Sequence, residues 1–173
     1  MYPSPEKMSQ RLAHLAELEK QLTFRLSRLS KLLDIHATRQ LDGSPLNLTW
    51  YRILMVLGIF EETTAADLGR LMVMDRAQLS RAAADMLSAG LLQSRTDPTS
   101  RRRKLLSLTE AGRTELARLK PVYDRRQRRL EAELEPAELA GLTAAVDKLS
   151  AYLAQELELH DATPSGARLP RIG

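Results

Sequence analysis

Leucines recur at steps of three and four residues through the first 41 residues of the chain. This spacing places their side chains on one face of a helix and predicts a single long amphipathic helix over residues 6–41. A stripe of this length is more than a small domain can cover by itself, so we expect part of it to pack against a second subunit. An Asp-Gly-Ser-Pro sequence at residues 42–45 then ends the helix. The stripe consists of Leu12, Leu15, Leu18, Leu22, Leu26, Leu29, Leu32 and Leu33.

The composition excludes several classes of protein. Of the 173 residues, 43% are hydrophobic and only 4% are aromatic, so aliphatic side chains must fill the core. The chain has no cysteine, which excludes disulfides, thiolate nucleophiles and cysteine-ligated zinc. The longest apolar stretch, residues 53–60, is far shorter than the roughly 20 residues of a bilayer span. Residues 1–7 also lack the features of a secretory signal, so we predict a cytoplasmic protein without a membrane segment.

Two short helices are predicted after the break. The first covers residues 48–60 and begins at a cap, either Asn47 or Thr49. Its apolar residues cover nearly the whole surface, which predicts a buried helix. The second is a short helix whose start Thr64 can cap, with Asp67 three residues later completing a shortened capping box.

A fourth helix, capped by Asp75, has one apolar face and one face of small and polar residues. A helix that reads the major groove requires such a face, because bulky apolar side chains cannot approach base edges. An ordinary solvated helix has the same pattern, so this segment alone does not decide between the two. The apolar face contains Leu79, Ala83, Met86 and Leu87, and the opposite face contains Ala77, Gln78, Ser80 and Arg81.

A basic hairpin is predicted after Gly90. Residues 91–95 and 102–108 have the pattern of two strands, joined by a turn at residues 96–100. Within residues 91–104 five basic side chains stand against one acid, so this segment carries the whole net charge of +4. A solvated loop could carry such a run, but the flanking helices favour a functional role. The basic residues are Arg95, Arg101, Arg102, Arg103 and Lys104, and the acid is Asp97.

Two long helices are predicted for the rest of the chain. The first begins at Thr109 and Glu110, and Pro121 within it should bend or interrupt it. The second begins after a Glu-Pro pair and runs from residue 137 to about residue 159. Residues 160–173 are expected to be a disordered tail.

In this order of elements the sequence resembles the multiple antibiotic resistance regulator (MarR) family over most of its length. The resemblance implies a mainly α fold with a small β-hairpin wing: a winged helix-turn-helix domain plus a helical dimerisation region. It also implies a DNA-binding transcriptional regulator. The segments that carry it, in family order and at family spacing, are residues 64–71, 75–81, 90–92, 97–102 and 106–112. The implied parts are a dimerisation helix at 6–41, the DNA-binding domain at 46–108, dimerisation helices at 109–159 and the tail at 160–173.

The resemblance implies specific contacts with duplex DNA. The fourth helix would enter the major groove, where Arg76, Gln78 and Ser80 offer donors to base edges and Arg81 reaches a phosphate. Arg101 at the hairpin tip would enter the minor groove. Because side chains alternate along a strand, the remaining basic residues cannot all touch DNA at once. The predicted DNA-binding set is Arg76, Ala77, Gln78, Ser80, Arg81, Arg95, Asp97, Arg101, Arg102, Arg103 and Lys104.

One position departs from the family pattern. The family commonly has an aspartate just before the first wing arginine, and this chain has Ser100 there. Any carboxylate–arginine bond that braces the wing must therefore come from Asp97. The arginines at 125, 126, 128 and 129 are balanced by nearby acids, so we predict ion pairs on the helix surface, a further DNA contact being the alternative.

The resemblance also implies a small-molecule effector, often a phenolic or aromatic acid, in a cleft between the dimer helices and the wing domain. His36 and Trp50 lie where such a cleft would form, since imidazole can pair with a carboxylate and indole offers a stacking face. The alternative is a surface histidine and a core tryptophan. The three histidines lack metal-site spacing, and no cofactor is predicted. The dimer would bind a pseudo-palindromic operator and act as a repressor, because covering a promoter blocks polymerase.

Two other functional classes fit less of the sequence. A hydrolase would need a nucleophile elbow or a comparable motif, and the chain has no Gly-x-Ser-x-Gly, no phosphate-binding glycine loop and no acid–histidine pair at metal spacing. We therefore predict that the protein is not an enzyme. A helical winged-helix module that binds protein or RNA is the second alternative, but the hairpin has none of the aromatic residues that stack on single-stranded bases.

Overall fold

The computed structural model describes residues 4–98 and 100–157, with only the backbone of Pro5, Arg101 and Arg102. The chain divides into two compact units, within residues 1–44 and residues 45–173. The tail predicted at residues 160–173 lies outside the described residues. Within the described ranges, no helix combines the length and apolarity that a membrane span requires.

The first unit consists of two helices, α1 (Pro5–Lys20) and α2 (Leu22–Arg39). The prediction of one continuous helix is therefore wrong at Gln21, whose backbone is extended, with φ −68° and ψ 130°. Side chains replace the backbone hydrogen bonds lost at this break: Arg25 Nε donates to the Glu19 carbonyl oxygen at 2.9 Å. The Arg28 guanidinium lies 3.4 Å from the Glu19 carboxylate. Neither glycine nor proline marks the break in the sequence.

The predicted leucine stripe lies along both helices and is largely uncovered in the single chain. Seven of its eight leucines are exposed, from 36% at Leu33 to 59% at Leu22, and Leu26 is half-buried. A contiguous exposed apolar surface of this length is uncommon on an isolated soluble domain.

The second unit contains five helices and three strands within its described residues. The strands form one antiparallel sheet in the order β1-β3-β2. Strand β1 was not predicted, because a three-residue Glu-Thr-Thr segment is too short for a pattern. The elements are α3 (Leu48–Phe60), β1 (Glu62–Thr64), α4 (Ala65–Leu71), α5 (Arg76–Ser88), β2 (Leu92–Asp97), β3 (Ser100–Leu108), α6 (Glu110–Glu131) and α7 (Pro136–Glu156).

Strands β2 and β3 form the predicted hairpin and extend further toward its tip than expected. Leu92 pairs with Leu108 at the base, and Asp97 pairs with Ser100 at the tip. The pairing is irregular between Thr96 and Asp97, so the turn is shorter than the predicted residues 96–100. Thr99 lies outside the described residues.

The predicted cap residues are confirmed, but the capping box predicted at Thr64 and Asp67 is not formed, because the Asp67 carboxylate accepts from the Thr64 hydroxyl. The Asn47 side chain accepts a hydrogen bond from the Trp50 N–H at 2.9 Å, so Asn47 rather than Thr49 caps α3. The Thr64 hydroxyl accepts from the Asp67 N–H at the start of α4. Asp75 caps α5 through the N–H groups of residues 77 and 78. These caps satisfy N–H groups that a helix leaves free in its first turn.

The core of the second unit lies around α3. Tyr51, Ile53, Leu54 and Leu57 on this helix are at most 2% exposed. The opposite side of α3 faces outward, with Ile59 at 73% exposure, so the helix is buried on one side and not all round as predicted. Leu68, Leu79, Met86 and Leu119 complete the fully buried set from the neighbouring helices.

Helix α6 continues through Pro121 without the interruption that was one predicted outcome. An internal proline costs roughly 3 kcal/mol in a helix. Contacts on both sides of it hold α6 on α3: Leu119 is 2% exposed, and Tyr123 stacks on Tyr51 with ring centroids 3.7 Å apart. Burial raises the pKa of Tyr51 above its ordinary value, which keeps this ring un-ionised.

Val73, between α4 and α5, adopts a left-handed backbone conformation with φ +48°. A β-branched residue rarely does so, and this side chain is 76% exposed, so no packing offsets the strain. An L-residue in the left-handed region loses about 1–2 kcal/mol of stability. Replacement by glycine removes this strain, but the larger entropy of glycine in the unfolded state offsets about 0.5–1 kcal/mol of the gain. We expect Val73→Gly to raise the free energy of unfolding by about 0.5–1 kcal/mol in urea titrations. As a control, Ala84→Gly at an exposed position within α5 should lower the free energy of unfolding by about 1 kcal/mol. A Val73→Gly variant that is less stable than the parent would contradict the expectation.

Candidate nucleic-acid interface

Helix α5 has the two faces that the sequence predicted. Leu79, Ala83 and Met86 are buried, together with Ala82, which was not predicted, whereas Leu87 lies at the edge with 36% exposure. Asp75 caps the start of the helix, and the buried residues determine which of its faces packs against the core. The opposite face is uncovered: Arg76, Ala77, Gln78, Ser80 and Arg81 are all exposed.

The hairpin is braced against α4 near its tip by two buried carboxylates, Asp67 and Asp97, and two half-exposed arginines, Arg70 and Arg103. Asp97 is 9% exposed, and its Oδ2 lies 3.8 Å from Arg103 Nε, which is the predicted brace. The same guanidinium lies 3.9 Å from Oδ2 of Asp67, which is 4% exposed. Asp67 also accepts a hydrogen bond from the Thr64 hydroxyl at 2.6 Å and another from Arg70. Arg103 therefore links the wing strands to α4, a role that the sequence did not reveal.

Arg95 makes a second brace across the sheet. Its guanidinium donates two hydrogen bonds to the Glu62 carboxylate, at 2.9 and 2.5 Å, and so reaches from β2 over β3 to β1. This bond raises the pKa of Arg95 above its ordinary value. The positive charge of Arg95 is thus paired with a carboxylate, and its side chain attaches the hairpin to the short strand β1.

The remaining predicted basic residues differ in their surroundings. Arg76 and Arg81 on α5 and Lys104 on β3 are exposed. Among the side chains that the structure describes, no carboxylate lies close enough to these three residues to form an ion pair. Arg101 and Arg102 belong to β3, and their side chains lie outside the description.

The arginines in the second half of α6 do not all form the predicted ion pairs. Asp124, which was expected to balance them, pairs with Lys120 at 2.8 Å, and Glu131 accepts from Gln127 at 2.8 Å. In the described part of the chain no ion pair is recorded for Arg125, Arg128 or Arg129. Arg128 and Arg129 lie in the last turn of α6, where cations complement the helix dipole.

His36 and Trp50 belong to different units. His36 is exposed on α2, and Trp50 is half-buried in the first turn of α3. Their joint role in binding a ligand stays a prediction. Among the residues that the structure describes, no three His, Asp or Glu side chains are grouped in a way that could hold a metal ion.

The second unit defines the class of this protein. Helix α5 follows α4 after a turn of four residues, and the two pack together next to an antiparallel sheet with a protruding hairpin. This arrangement is a winged helix-turn-helix.

Comparisons with known proteins agree with this class. Residues 44–103 match the model of the MarR family. A probable transcriptional regulator from Pseudomonas aeruginosa is 28% identical and has a TM-score of 0.66, over 76% of this chain and 98% of that chain. No curated protein matches the sequence. Residues 44–103, which include α3–α5 and most of the hairpin, are therefore similar to the MarR family.

Two more distant structures share the fold. A mutant MarR from E. coli, solved in complex with operator DNA, is 20% identical with a TM-score of 0.64, over 72% of this chain and 93% of that chain. BpsR from Bordetella bronchiseptica, whose DNA binding is regulated by 6-hydroxynicotinic acid, is 21% identical with a TM-score of 0.70, over 76% and 94%. The predicted mainly helical fold with a small wing is therefore confirmed.

Proposed function

We propose that the protein is a transcriptional repressor that binds duplex DNA as a homodimer and responds to a small molecule. The observation that carries the proposal is the uncovered face of α5, where Arg76, Gln78 and Arg81 are exposed and the opposite face is fixed in the core. Arg76, Gln78 and Ser80 offer donors to base edges in the major groove, and Arg81 reaches a phosphate. Ala77 leaves room for the close approach.

The wing adds contacts beside the helix. Lys104 is exposed on β3 and suits a phosphate, whereas Arg95 and Arg103 hold the hairpin in place through Glu62, Asp67 and Asp97. In this proposal Arg101 enters the minor groove and Arg102 binds a phosphate. These braces hold the hairpin in a fixed position, which lowers the entropy lost on binding.

The apolar surface supports a homodimer. Helix α7 has no buried residue, and its apolar side chains are uncovered like the leucines of α1 and α2. A second copy that covers these faces would form a two-fold dimer and would select a pseudo-palindromic site with half-sites about one helical turn apart. The exposed apolar residues of α7 are Leu142, Val146, Leu149, Tyr152 and Leu153.

Repression follows from occupancy of a promoter by such a dimer, without catalysis and in the cytoplasm. The effector is a small molecule such as a phenolic or aromatic acid, and His36 and Trp50 are its proposed contacts. The regulation of BpsR by 6-hydroxynicotinic acid supports an effector of this class.

The roles of Arg81 and Arg101 are tested by alanine variants. We expect Arg81→Ala to weaken duplex binding by about tenfold or more and Arg101→Ala to weaken it less, because loss of one such contact costs about 1–3 kcal/mol. Binding is measured by fluorescence anisotropy with genomic duplex fragments at several salt concentrations. Arg118→Ala, at an exposed arginine of α6 that pairs with Glu115 and lies outside the proposed interface, is the matched control. Parental affinity in both variants, with unchanged circular dichroism, would exclude the assignment.

A further inference from the structure

Helix α1 is uncovered on every side in the single chain. All of its described side chains are exposed, including Leu12 at 58% and Leu15 at 45%. Most of the stability of a helix in a protein comes from the packing of an apolar face, and α1, with 16 residues, has no buried side chain in its described part. The family model covers residues 44–103, so what packs on α1 has to be inferred from this helix itself.

The residues of the exposed face are arranged symmetrically about Leu15. Leu12 and Leu18 are three residues before and after it, which places them about 60° to either side around the helix axis. Arg11 and Glu19 are four residues before and after it, about 40° to either side. The face therefore carries leucines at equivalent positions around Leu15 and opposite charges at the next pair of equivalent positions.

This symmetry distinguishes between the two ways in which α1 of a second copy could pack on α1. In a parallel pair the same residues lie side by side, so Arg11 would face Arg11 and Glu19 would face Glu19. In an antiparallel pair with its two-fold axis at Leu15, each Arg11 lies level with Glu19 of the partner subunit. The antiparallel arrangement thus replaces two contacts between like charges with two between opposite charges.

Both charged side chains can make this contact. In the described part of the chain no ion pair is recorded for Arg11. The Glu19 carboxylate lies 3.4 Å from Arg28, and the two side chains are 48% and 65% exposed. Such an exposed pair contributes little, and a carboxylate has acceptor sites for two arginines. Glu19 can therefore accept from Arg11 of the partner subunit without losing Arg28.

We propose that α1 packs antiparallel on α1 of a second copy, with the two-fold axis at Leu15, the leucines in contact and two Arg11–Glu19 ion pairs between the copies. The inference rests on the homodimer of the proposed function, which supplies the second copy. It adds the polarity and the register of one contact and the charged pair that determines both.

The test is disulfide cross-linking of the full chain, which contains no cysteine of its own. We expect Leu15→Cys to form a covalent dimer on oxidation, because the pairing places the two Cα atoms of residue 15 roughly 5 Å apart, within the range of a disulfide. Arg11→Cys should form at least tenfold less, because its two copies would lie about 12 Å apart along the axis.

A double variant keeps Leu15 in place and tests the register. Arg11→Cys combined with Glu19→Cys should restore cross-linking, because residues 11 and 19 of different copies lie level with each other. Ala13→Cys is the matched control, since Ala13 is exposed on the opposite side of α1, about 160° from Leu15. All four positions are exposed in the single chain, so the reduced variants should keep the circular dichroism spectrum of the parent.

Three results would overturn the proposal. Absence of the covalent dimer in both Leu15→Cys and the double variant would exclude the pairing. Cross-linking of Arg11→Cys as strong as that of Leu15→Cys would show a parallel pair, and equal cross-linking of Ala13→Cys would show random collision. Sedimentation and duplex binding of the parent are measured separately. A dimer without the expected cross-links would refute the pairing alone, whereas the cross-links in a chain that binds no duplex would refute the proposed function and leave the pairing standing.

Discussion

Gly112→Ala is expected to lower the free energy of unfolding by about 3 kcal/mol, the upper part of the usual range for overpacking. A Cβ at this position would lie 2.2 Å from the carbonyl oxygen of Leu91 and 3.2 Å from its carbonyl carbon. Both atoms belong to the backbone and cannot rotate away. The same oxygen accepts hydrogen bonds from the N–H and the hydroxyl of Thr109, both at 3.1 Å, so moving it would also disturb the cap of α6.

Gly69→Ala is the matched control. Its Cβ would lie 3.4 Å from the Met74 carbonyl oxygen and 3.6 Å from Leu79, which are ordinary contacts. Alanine is the better helix former, so this variant should stay within about 1 kcal/mol of the parent. Urea unfolding followed by circular dichroism gives both values, and the thermal midpoint of Gly112→Ala should fall by roughly 10 °C. Equal stability of the two variants would show that α6 does not approach Leu91 as described.

Asp67→Ala is expected to lower the free energy of unfolding by about 2–3 kcal/mol. Removing one partner of a buried ion pair usually costs about 3–5 kcal/mol. Here Arg70 and Arg103 are about half exposed and can regain water, which places the cost below that range. The loss includes the bond from the Thr64 hydroxyl and the link that Arg103 makes between the wing and α4.

Asp85→Ala provides the comparison for Asp67→Ala. Asp85 is an exposed carboxylate on α5, and its removal should change stability by less than about 0.5 kcal/mol. Hydrogen exchange of the β2 and β3 amides should accelerate in Asp67→Ala and not in Asp85→Ala. Parental stability and exchange in Asp67→Ala would contradict the brace between the wing and α4.

The parts of the fold that the sequence predicted are those set by local chemistry. Asn47, Thr64, Asp75 and Thr109 cap helices through N–H groups two or three residues away, so the signal lies within one turn. The strands of the hairpin follow one another directly, and their alternation is visible in the sequence.

The parts that were missed depend on distant contacts. Strand β1 is three residues long and owes its conformation to pairing with β3, more than 40 residues later. The Glu62–Arg95 and Asp67–Arg103 links join residues more than 30 positions apart. The helix breaks at Gln21, where the Arg25 side chain donates a hydrogen bond to the Glu19 carbonyl oxygen. No glycine or proline at this position indicates the break in the sequence.

In the candidate site, too, the features set by local sequence were predicted and those set by distant contacts were not. The outward face of α5 was predictable because helical periodicity alone separates exposed from buried positions. The roles of the individual wing arginines were not, since a basic run does not show which members face a buried carboxylate. Arg103 faces the buried Asp67 and Asp97, whereas Arg95 pairs with the exposed Glu62.

The most direct measurement of duplex recognition is a salt titration of binding to random genomic fragments, followed by sequencing of the fragments retained at moderate salt. A specific dimer predicts a steep fall of affinity with salt, because each neutralised phosphate releases a counterion, and an enriched pseudo-palindrome with half-sites about one helical turn apart. Weak, salt-labile binding without an enriched sequence would contradict a role as a DNA-binding regulator.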